Sequence, residues 1–237
     1  MPSKDQAQIF IAAVGGVLAV TIFNVAVQSK INSLAAAAIG IGANVLFVTF
    51  SSQWLVNSAK RYRPYRRLVD SRASLEGYWL STANDIGERP YEIAVISFNP
   101  DASSYVYSGK SLTRNFEVAA EWKSTHLEVD MEESKIRYFY EGSVETGNSI
   151  IQGFGYISFD RAPTGRFMTA SGLFVDADQL AGASFHRHTM RRITDAEISA
   201  CLAGTGANRR QKEPAYLGSD QDYSAIARFL ISPQHSS

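Results

Sequence analysis

Three arginines and a group of aromatic side chains are the residues of this sequence best suited to hold a ligand. Along a strand containing Phe185, His186, Arg187, His188 and Thr189, alternation puts Arg187 and Thr189 on the face of Phe185. With Phe185 taken as interior, Arg187 is a guanidinium inside a domain, where it needs an anion or several acceptors. It could clamp a phosphate or carboxylate, or close the domain by packing over an aromatic ring. Arg114 and Arg166 are the other cations available to an anionic ligand. Trp122, Tyr138 and Tyr140 fall on the apolar phase of their strands, and Tyr107 shares a strand face with Tyr105. Rings so placed suit the stacking of flat bases, and equally an ordinary core.

Other chemistry is thinly supported. His186 and His188 have the spacing of two metal ligands, but they lie opposite Phe185, hence outside, and no third ligand is assigned. No metal and no cofactor are expected. The single cysteine, Cys201, excludes an intramolecular disulfide and a multi-cysteine cluster. There is no G-x-S-x-G elbow and no glycine-rich loop between a strand and a helix. Gly153 and Gly155 lie inside a strand, where glycine marks a bend. No catalytic constellation emerges, so the chain is read as a non-enzyme.

The elements that position these residues are strands. Alternation of apolar and polar residues is clear over Phe116–Lys123, His126–Met131 and Lys135–Glu141. Further strands are expected at Gly77–Ala83, Tyr91–Phe98, Ser104–Ser108, Ile150–Asp160, Arg166–Phe174 and Ala183–Ile193. Turn residues separate them at Asn99–Asp101, Glu132–Ser134, Glu145–Asn148 and Ala162–Gly165. About eight sequential antiparallel strands suggest an up-and-down barrel or a sandwich, and a barrel of eight could hold one small ligand. The expected interior includes Trp79, Ile93, Val95, Phe116, Val118, Trp122, Val129, Tyr138 and Tyr140. Beyond the strands, Thr194 and Glu197 form a capping-box signature for a helix ending by Gly204, and Asp222–Ile231 could form another. The rest of the tail is polar.

Ahead of the strands stand two uncharged runs, Ile9–Val27 and Leu34–Val56, each long enough to cross a hydrocarbon core of about 30 Å as a helix. The residues between them suit a tight turn. Lys60, Arg61, Arg63, Arg66, Arg67 and Arg72 follow, opposed only by Asp70. The positive-inside rule puts this collar in the cytoplasm, and with it both termini and the strand domain. Ala12 with Gly16, and Ala36 with Gly40, form small-residue faces for helix contact; Asn44 offers a hydrogen bond within the hairpin or between protomers. The resulting parse is a transmembrane hairpin (1–59), a basic linker (60–75), a cytoplasmic barrel (76–193) and a C-terminal helix with a polar tail (194–237).

The formal net charge is zero, which argues against a DNA or RNA polymer as partner. The zero hides a split: residues 1–75 carry a net +6 and residues 76–160 a net −8.

Gly77-Tyr78-Trp79 resembles the G-x-W start of lipocalin-like barrels, in which the tryptophan closes one end beneath an arginine of the last strand. Arg191 or Arg187 would supply that arginine. The order of two spans, basic collar, Leu75–Trp79 entry and barrel, over about residues 9–193, resembles the two-span β-barrel effectors of bacterial cyclic-oligonucleotide anti-phage signalling (CBASS). The resemblance implies a protein of the bacterial inner membrane whose barrel binds a cyclic dinucleotide, oligomerises on binding and disrupts the membrane. The ligand-binding set would be Tyr107, Arg114, Trp122, Tyr138, Tyr140, Arg166, Arg187 and Thr189. The alternative is a membrane-tethered lipocalin-like binder of another small molecule.

Overall fold

The computed structural model describes residues 4–29, 32–83, 89–144, 149–177, 185–203, 217 and 219–231. The expected turn at Glu145–Asn148, the hairpin's Lys30 and most of the polar tail lie outside these residues. The chain divides into two compact units, Met1–Ala73 and Ser74–Ser237.

The first unit is helical: α1 (Lys4–Gln28), α2 (Ser33–Arg61) and α3 (Arg63–Val69). Two of its helices are long and apolar enough to cross a membrane. Asn32 caps α2, its side chain accepting a hydrogen bond from Leu34 N at 2.9 Å. The helices of the hairpin meet through Ala36 and Gly40 of α2, as expected, but on α1 through Gly15 and Ala19 rather than Ala12 and Gly16. A Cβ on Gly15 would stand 2.5 Å from Asn44 Oδ1, whereas one on Gly16 would meet nothing within 4 Å. Asn44 Oδ1 is buried against Gly15 and finds no hydrogen-bond partner among the described residues. One member of the basic collar turns inward: Arg66 donates to Ala59 O at 2.7 Å and Lys60 O at 3.2 Å, satisfying carbonyls at the end of α2.

The second unit is an antiparallel eight-stranded closed barrel: β1 (Gly77–Thr82), β2 (Tyr91–Asn99), β3 (Ser104–Leu112), β4 (Val118–Asp130), β5 (Lys135–Val144), β6 (Ile150–Arg161), β7 (Phe167–Asp176) and β8 (His186–Arg192). Each strand pairs with its sequence neighbour, and β1 closes on β8, with Trp79 opposite Arg192. The two alternating runs over 116–123 and 126–131 are joined in one strand, β4, which takes in residues 118–130 of them. A bulge between Ser124 and His126 shifts its phase, so Trp122 and Leu127 both reach the interior side.

Two apolar clusters result. One fills the barrel, around Trp79, Ala94, Ile96, Tyr107, Trp122, Ile136, Tyr138 and Phe159. The other lies outside, where α4 (Asp195–Ala203) and α5 (Asp220–Ile231) cover β1 and β2. Ile93 and Val95 belong to this outer cluster, with Tyr78, Leu80, Ile198 and Ile226, which corrects their expected interior placement. Phe116 and Val118 pack there too; Phe116 stacks on Tyr91 in the β3–β4 turn at 5.4 Å. Both faces of β2 are apolar because helices cover its outside, so alternation could not set its phase. The capping box forms as expected: Thr194 N donates to Glu197 Oε2 at 2.7 Å, and Glu197 N donates to Thr194 Oγ1 at 3.2 Å.

One barrel end is shut by Trp79. Its indole N–H donates to Leu75 O at 3.2 Å, and its ring lies edge-on to Phe159 at 5.1 Å. The Arg192 guanidinium sits 5.3 Å from the Trp79 ring centre and donates to Ser74 O at 2.8 Å, Phe167 O at 3.3 Å and Glu76 O. The closing arginine is therefore neither Arg187, which is exposed, nor Arg191, which pairs with Glu197 at 2.8 Å. Trp79→Ala is expected to cost about 3–5 kcal/mol, as a fully buried large aromatic. Arg192→Ala, by leaving buried carbonyls unpaired, is expected to cost about 2 kcal/mol or more. Denaturant titration of the full chain in detergent, followed by tryptophan fluorescence, measures both.

Candidate functional site

At the other end of the barrel the wall opens into a cavity of about 60 Å³. It is lined by the start of β2, the ends of β3 and β7, the middle of β5, the start of β6, and Trp122 of β4. Four of the expected ligand residues do converge near it. Tyr107 and Trp122 meet edge-on at 4.7 Å, Tyr107 and Tyr138 at 4.9 Å, and Trp122 and Tyr140 at 5.9 Å. Glycines seat these rings: a Cβ on Gly153 would stand 2.5 Å from Tyr140 Oη, and one on Gly155 2.7 Å from Tyr138 Oη. Gly153 and Gly155 thus provide room for rings on the neighbouring strand, a reason beyond the bend expected of them.

The expected cations are elsewhere. Arg114 is exposed in the β3–β4 turn and Arg166 is exposed just before β7. The β8 phase is the reverse of that expected. His188 and Met190 are buried, whereas Phe185, Arg187 and Thr189 are exposed, Thr189 pairing with Thr82 at 3.0 Å on the outer wall. Phe185 misled because it precedes the strand and packs on the outside, edge-on to Phe154 at 6.3 Å. The inward histidine has a structural partner: Ser81 Oγ lies 3.0 Å from His188 Nδ1. Among the described residues no three His, Cys, Asp or Glu side chains gather as metal ligands.

What the cavity does hold is acid. Glu92, directly across the β1–β2 ladder from Ser81, points into the barrel; the Trp122 indole N–H donates to it, and its Oε1 is sealed from solvent with no hydrogen-bond partner among the described residues. Burial pushes its carboxyl up to about 8, against the smaller opposing effect of the Trp122 bond. Asp176 accepts a short 2.5 Å bond from Tyr140 Oη. Burial, followed by the Asp176 hydrogen bond, raises the Tyr140 hydroxyl; Tyr107 and Tyr138 are raised chiefly by burial and then by Glu92. All three tyrosines stay neutral at physiological pH. Arg89, Ser111, Ile151 and Phe174 also line the cavity. Glu92 was legible as a lone acid among apolar residues of β2, and its neighbours' phase hid it.

A second concavity, shallow and about 670 Å³, lies on the outer wall across β4 to β7. Phe139, Tyr156 and Phe185 are exposed on it, His126 lines it, and Lys135 and Arg137 bring positive charge. Arg137 reaches Glu128 at 3.4 Å and Glu133 at 3.3 Å, surface ion pairs worth little individually. Leu173 lines this groove and stands opposite Arg187 in the β7–β8 ladder, so Arg187 shares its face.

No family model, curated protein or solved structure matches this chain.

The Glu92 carboxyl makes stability depend on pH. Folded, it keeps its proton to about pH 8; unfolded, it releases it near 4.5. The native state therefore binds the extra proton between these values, and its stability falls as pH rises through that window. Glu92→Gln is expected to abolish this component. It would gain on the order of 3 kcal/mol over the native chain at pH 9 relative to pH 4.5, each pKa unit being about 1.4 kcal/mol and the open mouth returning part of it. Denaturant midpoints of both chains across pH measure the difference.

Proposed function

We propose that this protein is a membrane-anchored effector of the bacterial inner membrane, with a cytoplasmic barrel that binds a cyclic dinucleotide and thereby drives assembly of its spans. The observation that carries the reading is the joining, in one chain, of two long apolar helices to a closed barrel with a lipocalin-like Trp79–Arg192 seal. Most of the apolar surface of the two helices is uncovered in a single chain, so it is available to lipid or to other copies. Ligand binding shifts such a chain toward the assembled state only if the ligand binds that state more tightly. The assembled spans would disturb the bilayer and end growth of an infected cell.

The dinucleotide docks on the outer groove in this proposal, not inside. An interior cavity of about 60 Å³ is far too small for it and is lined by two carboxylates. The same small volume counts against the alternative of a lipocalin-like apolar ligand. The groove offers exposed rings for bases, and Arg137, Lys135 and Arg187 on its face for phosphates. No step of this proposal needs catalysis, a metal or a cofactor.

Calorimetry of the full chain in detergent against a panel of cyclic dinucleotides should give saturable binding to at least one. Arg137→Ala and Arg187→Ala should each weaken it about tenfold, the scale of one charge-assisted contact. The bound ligand should release dye from vesicles carrying the protein. Absence of heat and of leakage across the panel would remove the reading. A Arg187→Ala chain with unchanged affinity would move the ligand off this groove.

A further inference from the structure

The mouth of the barrel has a chemistry opposite to that of the groove, and it stands whether or not the groove binds a nucleotide. We infer that the cavity beside Glu92 is a binding site for a small organic cation, the primary ammonium group of an amine. Glu92 Oε1 is buried and has no hydrogen-bond partner among the described residues, an arrangement that costs stability unless something donates to it. Trp122, Tyr138, Tyr140 and Phe174 wall the same cavity, and aromatic faces attract cations. Asp176 lies in the lining as a second carboxylate. The cavity, at about 60 Å³, is the right scale for an ammonium with a short alkyl stem and excludes larger head groups.

The charges facing Glu92 come from every element around it. Among the described residues of the lining, Arg89, just ahead of β2, is the cation and Asp176 on β7 is the other acid; Tyr107 on β3 and Tyr138 and Tyr140 on β5 are neutral hydroxyls. Ser81 on β1 is bonded to His188 of β8, and β4 contributes Trp122. Among these described residues, two carboxylates against one guanidinium leave one acid to be compensated. At neutral pH the empty site compensates it by keeping the Glu92 proton. An arriving ammonium replaces that proton: it binds as the charged group, Glu92 ionises, and one proton leaves to solvent. Nothing is oxidised or reduced and no covalent bond other than O–H changes.

Methylammonium is a sufficient probe. Full chain in non-ionic detergent is titrated calorimetrically at pH 7 in two buffers of different ionisation enthalpy. Saturable binding with about one proton released per ligand is expected, and the affinity should rise about tenfold per pH unit until it levels above pH 8. Tetraethylammonium, too large for the cavity, should not compete. Glu92→Gln should lose the proton release and at least tenfold in affinity. Arg89→Ala, which removes the competing rim charge, should tighten binding. Titration with no saturation in the native chain, saturation without proton release, or equal affinity in Glu92→Gln would each overturn the assignment. The first of these means that water alone fills the site. Because the native chain carries the proton count, the test holds even where Glu92→Gln does not fold. Failure of the dinucleotide panel would leave this result untouched, and the reverse.

Discussion

The closure of β1 onto β8 is the constraint on which the second unit depends, and Arg192 secures it. The residue stands opposite Trp79 in the ladder, lies over the indole and donates to carbonyls of Ser74, Glu76 and Phe167. Those carbonyls belong to the entry of the first strand and the start of the seventh. A single planar fork of donors thus ties the entry of the first strand to the last two strands at one point. The Trp79 ring below it keeps the guanidinium from being a bare buried charge.

With one end sealed and the interior filled, the barrel is asymmetric. Large rings on β3, β4 and β5 lie against strands whose glycines make room for them, which leaves little space in the middle and concentrates the remaining polarity at the mouth. Glu92 is the clearest sign of this. A carboxyl on the packed side of a strand is expensive unless it stays protonated or meets a positive group, and here its surroundings hold the proton on. The acidic surface of the barrel segment, net −8 over residues 76–160, has an interior counterpart in Glu92 and Asp176. Positive charge sits on the outer wall, around Arg137, Lys135 and Arg187.

Much of this was legible in the sequence where one physical signal acted alone. Uncharged runs gave the two long helices; Thr194 and Glu197 gave the cap of α4; clean alternation gave β5 with Tyr138 and Tyr140 inside. The misreadings arise where two signals overlap. Helices covering the outside of β2 make both its faces apolar, so Ile93 looked like core of the barrel when it is core of the outer layer. Phe185 is apolar for the sake of an external ring contact, and using it to set the phase of β8 turned Arg187 and His188 the wrong way round. A bulge in β4 made one strand look like two. The aromatic half of the expected site survived because its strands have one wet face. The cationic half did not, because it rested on the phase of one ring and on two residues in turns.

A closed wall also limits how this protein can meet others. In an open sheet, the outermost strand offers a row of unpaired amides and carbonyls that another chain can extend. Here β1 and β8 use theirs on each other, and every described strand has a neighbour on both sides. Joining by strand addition is therefore closed to the barrel as it stands. Any contact with another chain would run through side chains on the wall or through the helices. Such contacts can be weak and reversible without unravelling the sheet that makes them.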